Sequence, residues 1–120
     1  MSKLIYIVED DEMMASYLKR VLKKYTVEIF SNGIDAIAAV DNIIPDLVIL
    51  DIILNGPSGF AFMNEMQSYA DTCDTPMIIC SSMAEEIGNM TNSKFVMSIL
   101  DKTSMTPEGI RSAVRRVLDE

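Results

Sequence analysis

Short apolar runs that each end in a polar side chain constrain the fold of this chain more than any other feature. Such runs occupy residues 4–8, 47–50, 77–80 and 95–100 and are separated by segments with helical periodicity. Apolar runs of this length that alternate with helices are typical of buried parallel strands. Ligands bind beyond the carboxyl ends of the strands in an open α/β sheet. The polar residues after the runs are therefore predicted to meet at one sheet edge.

The segments between the runs predict helices and one further strand. The first helix has apolar residues that recur at intervals of three and four, namely Met14, Tyr17, Leu18, Val21 and Leu22. Residues 26–30 are rich in β-forming side chains, and residues 34–40 and 60–70 predict helices. Thr106, Pro107 and Glu108 predict the start of a last helix. Residues 84–93 give the weakest helical pattern. The chain is thus predicted to be an α/β protein of (βα)5 type with one domain over residues 1–120.

Composition excludes several classes of function. The net charge of −8 argues against nucleic-acid binding, because phosphate contacts require clustered lysine and arginine. The chain has no histidine, so a Ser-His-Asp triad and a histidine-ligated zinc site are both excluded. Cys73 and Cys80 have no metal-type spacing and are expected to be free thiols. Without a long apolar stretch or room for a signal peptide before residue 4, a cytoplasmic location is expected.

The polar residues at the run ends suggest phosphoryl chemistry with a divalent cation. Glu9, Asp10 and Asp51 would lie on neighbouring strands, where three close carboxylates repel unless a cation compensates them. Mg²⁺, or Mn²⁺ in its place, accepts oxygen ligands of this kind. Lys102 and Ser81 would supply a positive charge and a hydroxyl donor to phosphate oxygens. The set could therefore form an acyl phosphate on Asp51.

These residues and their spacing resemble response-regulator receiver domains, and the resemblance covers the whole chain. The matching segments are residues 7–11, 45–52, 59–60, 76–81 and 101–102. The resemblance implies a doubly wound, flavodoxin-like sandwich of three layers, with a five-stranded parallel sheet in the order 2-1-3-4-5. It also implies that a histidine kinase or a histidine phosphotransfer protein donates the phosphoryl group. An output domain or target protein would then respond, and the chain would be a monomer or a weak dimer.

The resemblance also implies a role for each site residue. Asp51 would be the phosphoacceptor, with Lys102 and Ser81 at the positions of the family's lysine and switch hydroxyl. Glu9 and Asp10 would be the acid pair that binds the metal together with Asp51. Ile53 would contribute its backbone carbonyl oxygen to the same ion. The chain would be a signalling protein rather than an enzyme, although it would promote its own phosphoryl transfer and dephosphorylation.

Three features depart from the family pattern. Ile99 lies three residues before Lys102, where the family usually has a tyrosine or phenylalanine that moves with the switch hydroxyl. Thr103 follows Lys102, where the family usually has proline. Residues 84–93 are polar and include Gly88, so the fourth helix is expected to be atypical. The usual means of transmitting phosphorylation is therefore expected to be altered.

Two alternatives to a phosphorylated switch were considered from the residues. A phosphatase with an aspartyl nucleophile needs an acid two residues after the nucleophile, and Ile53 occupies that position. A degenerate receiver would act only as a phosphorylation-independent interaction module, but every expected reactive position here carries a reactive residue. Nucleotide binding has no support, because neither GxGxxG nor GxxxxGK[ST] occurs.

Overall fold

A computed structural model of the protein describes residues 2–52, 59–90 and 95–119. The strands are β1 (Leu4–Val8), β2 (Thr26–Phe30), β3 (Leu47–Leu50), β4 (Met77–Ser81) and β5 (Val96–Asp101). The helices are α1 (Glu12–Val21), α2 (Gly33–Asn42), α3 (Gly59–Gln67), α4 (Ala84–Met90) and α5 (Pro107–Leu118). These elements alternate strictly along the chain, as predicted, although α3 ends at Gln67 rather than near residue 70, and the predicted end of α4 lies outside the described residues.

The strands form one parallel sheet in the order β2-β1-β3-β4-β5, which confirms the predicted fold class and strand order. Strands β3 and β4 are buried along their whole length, whereas β2 and β5 form the edges and are partly exposed. One apolar cluster packs α1 and α5 on one face of the sheet. A second packs α2, α3 and α4 on the other face. The molecule therefore has three layers, with the sheet between two layers of helices and apolar clusters on both faces of the sheet.

Side-chain caps determine where three of the helices begin. The Asp11 carboxylate accepts hydrogen bonds from the Met13 and Met14 backbone amides at the start of α1. The Asn32 side chain accepts one from Asp35 N at the start of α2. Thr106 accepts one from Gly109 N, as its position before Pro107 predicted. Each cap satisfies amides that have no partner within the first helical turn.

Two long-range hydrogen bonds fix β1 beside β3. The Leu4 amide donates to Asp46 Oδ2 at 2.7 Å, and the Tyr6 hydroxyl donates to the Ile43 carbonyl at 2.9 Å. Both acceptors lie in the connection between α2 and β3, so that connection is held against β1. Both cysteines are free thiols, as expected. Within the described residues no helix has the length and apolar character needed to cross a bilayer.

Candidate functional site

The sheet register brings the predicted site residues to one edge. Val8 pairs with Leu50 across β1 and β3, so the residues that follow them, Glu9 and Asp51, are neighbours. The Asp51 amide donates to the Val8 carbonyl at 3.0 Å and extends this pairing beyond the strands. On the other side, the Lys102 amide donates to the Ser81 carbonyl at 3.0 Å. The backbone therefore places all four strand ends around one point.

Three carboxylates converge at this edge. One oxygen each from Glu9, Asp10 and Asp51 lies within 4.8 Å of the others. Glu9 is only 3% exposed and Asp51 7%, whereas Asp10 is half-buried. The three predicted acid ligands are thus brought together, two of them where water solvates their charge poorly.

Lys102 neutralises part of this charge from the end of β5. Its Nζ lies 2.6 Å from Glu9 Oε1 and 3.0 Å from Asp51 Oδ2. Burial by itself would lower the pKa of Lys102, but the two carboxylates outweigh it and hold that pKa above its usual value. The ammonium therefore stays charged, and it lies against the carboxylate predicted to accept the phosphoryl group.

Glu9 is the most deeply buried of the three acids. Burial raises its pKa to about 7, because the loss of hydration outweighs the opposing effect of Lys102. Glu9 Oε1 is itself buried, and the Lys102 ammonium lies 2.6 Å from it.

The donor set fits a hard divalent cation. It offers carboxylate oxygens alone, two of them from buried side chains, and Mg²⁺ and Mn²⁺ bind such oxygens. The three acids carry more negative charge than the single ammonium of Lys102 compensates. Ile53, the predicted carbonyl ligand, lies outside the described residues.

Asp11 supports the site in a way that the sequence did not reveal. Its amide donates to Glu9 Oε2 at 3.2 Å, while its carboxylate caps α1. The start of α1 and the orientation of Glu9 are thereby coupled through one residue. The run of three acids at residues 9–11 was the available signal, but spacing alone could not separate the capping residue from the ligands.

Ser81 lies at the end of β4 and is 1% exposed. Its Oγ accepts a hydrogen bond from the Met83 amide at 3.1 Å, just before α4 begins at Ala84. The predicted switch hydroxyl therefore lies at the site edge and contacts the segment that leads into α4.

The turn after β5 holds Lys102 without a proline. Asp101 Oδ1 accepts hydrogen bonds from the Thr103 amide at 2.9 Å and from the Thr103 hydroxyl at 2.6 Å. These bonds lower the pKa of Asp101 below its usual value, so its carboxylate remains an acceptor. The Met105 amide also donates to the Asp101 carbonyl, at 2.8 Å. A side-chain turn thus fixes the backbone on either side of Lys102.

Gly59 approaches the backbone of the predicted phosphoacceptor. Its amide donates to the Ile52 carbonyl at 2.8 Å. A Cβ atom at this position would overlap the Asp51 carbonyl oxygen and would lie 2.5 Å from Ile52 Cα. Glycine is therefore needed where α3 begins beside β3. The sequence placed Gly59 in a loop and next to a helix but gave no sign of this contact.

Comparison with known proteins agrees with this geometry. The family model described as the response regulator receiver domain matches residues 5–115. A protein-glutamate methylesterase/protein-glutamine glutaminase from Leptospira interrogans is 34% identical over 68% of this chain and 24% of its own length. The response regulator MprA from a Mycobacterium species is 28% identical over 72% of this chain and 39% of its own length. The chain thus spans less than half of these relatives.

Solved structures share the fold. The signal receiver domain of a histidine kinase from Syntrophus aciditrophicus superposes with a TM-score of 0.85 at 24% identity, covering 98% of this chain and 91% of that one. The Mn²⁺-bound form of response regulator Rcp1 gives a TM-score of 0.77 at 20% identity, covering 92% and 88%. Together with the family match over residues 5–115, these findings show that the chain belongs to the response regulator receiver domain family.

Proposed function

We propose that this chain is a working phosphoacceptor domain, that residues 1–120 form this one domain, and that Asp51 receives the phosphoryl group. The observation that supports this best is the position of the Asp51 carboxylate. It lies 3.0 Å from the Lys102 ammonium and within 4.8 Å of two further acids at the end of a buried strand. Such a set positions and neutralises a phosphoryl group, which is what phosphoryl transfer requires of a protein.

The proposed transfer is a displacement at phosphorus. An oxygen of Asp51 attacks the phosphoryl group of a phosphohistidine on a histidine kinase or phosphotransfer protein. The new P–O bond forms as the P–N bond breaks, and the released imidazole nitrogen takes up a proton from water. Lys102 stabilises negative charge on the phosphoryl oxygens, and Ser81 donates its hydroxyl proton to one of them.

Glu9, Asp10 and Asp51 are the residues that would hold Mg²⁺ or Mn²⁺, with Ile53 as the proposed carbonyl ligand. A bound ion would supply positive charge that screens the phosphoryl oxygens from these acids. The buried oxygen of Glu9 supports this assignment. Rcp1, a protein of the same fold, has been crystallised with Mn²⁺ bound.

The signal leaves the site through Ser81 and α4 in this proposal. To contact a phosphoryl oxygen, the Ser81 hydroxyl would turn from the Met83 amide, which lies just before α4. Ile99 packs against α4, since a Cβ at Gly88 would lie 3.8 Å from Ile99 Cδ1. An isoleucine can follow a shift of α4 by repacking but cannot make the hydrogen bond of a tyrosine. The response is therefore a displacement of α4, read by an output domain or a target protein.

The direct test is incubation with acetyl phosphate and Mg²⁺, followed by intact mass spectrometry. We expect the wild-type chain to gain one phosphoryl group and Asp51→Asn to gain none. Asp41→Asn is the matched control, because it removes an exposed carboxylate on α2 and should leave the gain intact. The gain should disappear when EDTA removes the metal.

The same experiment separates the proposal from the degenerate receiver that acts only through binding. That alternative predicts no gain of mass in the wild-type chain at any Mg²⁺ concentration, although the protein remains folded. A phosphoryl gain that persists in Asp51→Asn would contradict the assignment of the acceptor.

A further inference from the structure

A groove between α2 and α3 runs along the face of the sheet opposite α1 and α5. One concavity of about 360 Å³ is lined by residues that include Ile34, Phe62 and Glu65. A second, of about 250 Å³, borders Asp41 and Tyr69 near the other end of α2. A shallow depression joins them, because it shares Glu65 with the first and both Asp41 and Tyr69 with the second. We call this continuous surface the α2–α3 groove.

The groove has an apolar base, and exposed apolar side chains lie along it. Phe62 and Met66 form part of the base and are almost fully buried. Four of the large apolar side chains that the described residues expose lie in or beside the groove: Ile34 (64%), Ile43 (58%), Ile44 (43%) and Tyr69 (56%). Apolar exposure concentrated in one place indicates an interaction surface more than scattered single residues do.

The charge around the groove is of one sign. No lysine or arginine occurs between Lys24 and Lys94. Every charged residue in α2, in α3 and in the turns that flank them is therefore an acid. Asp41, Glu65 and Asp71 border the groove. By contrast, α1 and α5 carry basic residues on the opposite face of the sheet, including Lys19, Arg20, Arg115 and Arg116. The molecule is therefore polarised, and its acidic side is also the side with the apolar groove.

We propose that the α2–α3 groove binds a cationic amphipathic helix of a partner protein. The apolar stripe of such a helix would cover Ile34 and Tyr69, and its flanking lysines or arginines would face Asp41, Glu65 and Asp71. Helix-in-groove recognition uses this combination of apolar anchors and charged flanks. Helix α2 has 10 residues and is therefore about 15 Å long, so the groove would accommodate about three turns of a bound helix.

The probe for this proposal is a fluorescein-labelled synthetic helix of leucine and lysine, with leucine at helical spacing on one face. Binding to the full chain is followed by fluorescence anisotropy at low and at physiological salt. Ile34→Ser tests the apolar anchor, and Met13→Ser on α1 is its matched control, since both remove an exposed apolar side chain. The double variant Asp41→Asn/Glu65→Gln tests the acidic residues of the groove. Its matched control is the double variant Glu12→Gln/Glu108→Gln, which removes the same amount of charge from α1 and α5.

We expect the two groove variants to weaken binding by roughly threefold to tenfold, because each anchor or pair of exposed charges contributes little individually. The two controls should stay within about twofold of wild type, and added salt should weaken all binding by screening. Circular dichroism should show the same fold in every variant.

Three outcomes would overturn the proposal. In the first, the wild-type chain does not bind the probe. In the second, groove and control variants weaken binding equally, which would indicate a response to net charge alone. In the third, sedimentation shows that the chain self-associates and that Ile34→Ser abolishes this, which would make a second copy of the chain the occupant.

Discussion

The sheet edge that carries the proposed phosphoacceptor (the acceptor edge: Glu9, Asp51, Ser81 and Lys102) and the surface formed by α4 and β5 (the α4–β5 face) are built in different ways. At the edge, Glu9 and Asp51 are buried and paired to Lys102 at 2.6 and 3.0 Å, and backbone hydrogen bonds fix the strand ends that carry them. On the α4–β5 face, a helix of seven residues packs on a half-buried strand, and Met83 and Met97 are each about half exposed. Ion pairs and hydrogen bonds therefore hold the first region in place, whereas apolar packing that can rearrange holds the second.

This difference predicts that the two regions tolerate change unequally. Hydrogen bonds and ion pairs between buried charges weaken when atoms shift by a fraction of an ångström, because the desolvated groups then lose part of the interaction that compensates for burial. Apolar contacts of methionine and isoleucine side chains repack at smaller cost. The proposed function needs both properties, since it requires a positioned phosphoacceptor and an α4–β5 face that can move. Two glycines, one in each region, allow this comparison to be measured.

Gly59→Ala is expected to have the largest effect. The added Cβ would overlap the Asp51 carbonyl oxygen and Ile52 Cα, which are backbone atoms and cannot rotate away. We expect a loss of about 3 kcal/mol in the free energy of unfolding, measured by urea denaturation. Acyl phosphate formation should also slow, because β3 must move to accommodate the methyl group.

Gly33→Ala is the control for Gly59→Ala, since it places the same methyl group at the start of a different helix. There the new Cβ would lie 3.4 Å from Phe62 Cβ, close to an ordinary contact. Its stability should remain within about 1 kcal/mol of wild type. Equal losses in the two variants would show that the approach of Gly59 to Asp51 is not a special constraint of the acceptor edge.

The second prediction concerns pH and tests whether burial at the acceptor edge has an energetic cost. The folded chain holds a proton on Glu9 up to about pH 7, whereas the unfolded chain releases it near pH 4.5. The folded state therefore binds more protons in that interval, so its stability falls as pH rises from 4.5 to 7. In metal-free buffer we expect a loss of about 2 kcal/mol from this residue between pH 5 and 8.

Glu9→Gln should remove most of this slope, because glutamine does not titrate. Glu108→Gln, on the exposed start of α5, should retain it. Mg²⁺ should stabilise the wild-type chain more at pH 8 than at pH 5, since protons compete for the same carboxylate. A slope that is the same in Glu9→Gln as in wild type would mean that another group carries the pH dependence.

The convergence of the four strand ends could be predicted because it follows from topology. A residue that ends a buried parallel strand must lie at the carboxyl edge of the sheet, so the sequence places Glu9, Asp51, Ser81 and Lys102 together. Their pairing could not be predicted in the same way. That Lys102 lies closer to Glu9 than to Asp51 depends on side-chain rotamers and on burial, neither of which is visible in spacing.

Two supporting features were not predicted for a related reason. The contact of Gly59 with the Asp51 backbone depends on how closely α3 packs beside β3, and many glycines beside loops make no such approach. Thr103 was recognised only as a departure from the family's proline. The hydrogen bond from its hydroxyl to Asp101 becomes evident only in the folded turn.

Thr103→Val tests whether that turn belongs functionally to the acceptor edge. Valine keeps the shape of threonine but loses the hydroxyl that donates to Asp101 at 2.6 Å. A single exposed hydrogen bond contributes about 1 kcal/mol, so looser positioning of Lys102 should slow phosphorylation by acetyl phosphate by about threefold. Thr103→Ser should restore the rate, and Ser104→Ala, one residue further along the turn, should leave it unchanged. An unaltered rate in Thr103→Val would limit the role of the turn to local stability.

Gly88→Ala, in the α4–β5 region, is expected to have the smallest effect and the opposite sign to Gly59→Ala. The new Cβ would lie 3.8 Å from Ile99 Cδ1, an ordinary contact, and alanine favours a helix interior over glycine. We expect the free energy of unfolding to rise by about 0.5 kcal/mol, with phosphorylation of Asp51 unchanged.

Because a better-formed α4 would resist displacement, any coupling from Ser81 through Met83 to α4 should weaken in Gly88→Ala. Hydrogen exchange of the α4 amides, compared with and without acyl phosphate, measures this coupling. A loss of stability like that of Gly59→Ala would show instead that the α4–β5 face is packed as tightly as the acceptor edge, and the contrast between the two regions would fail.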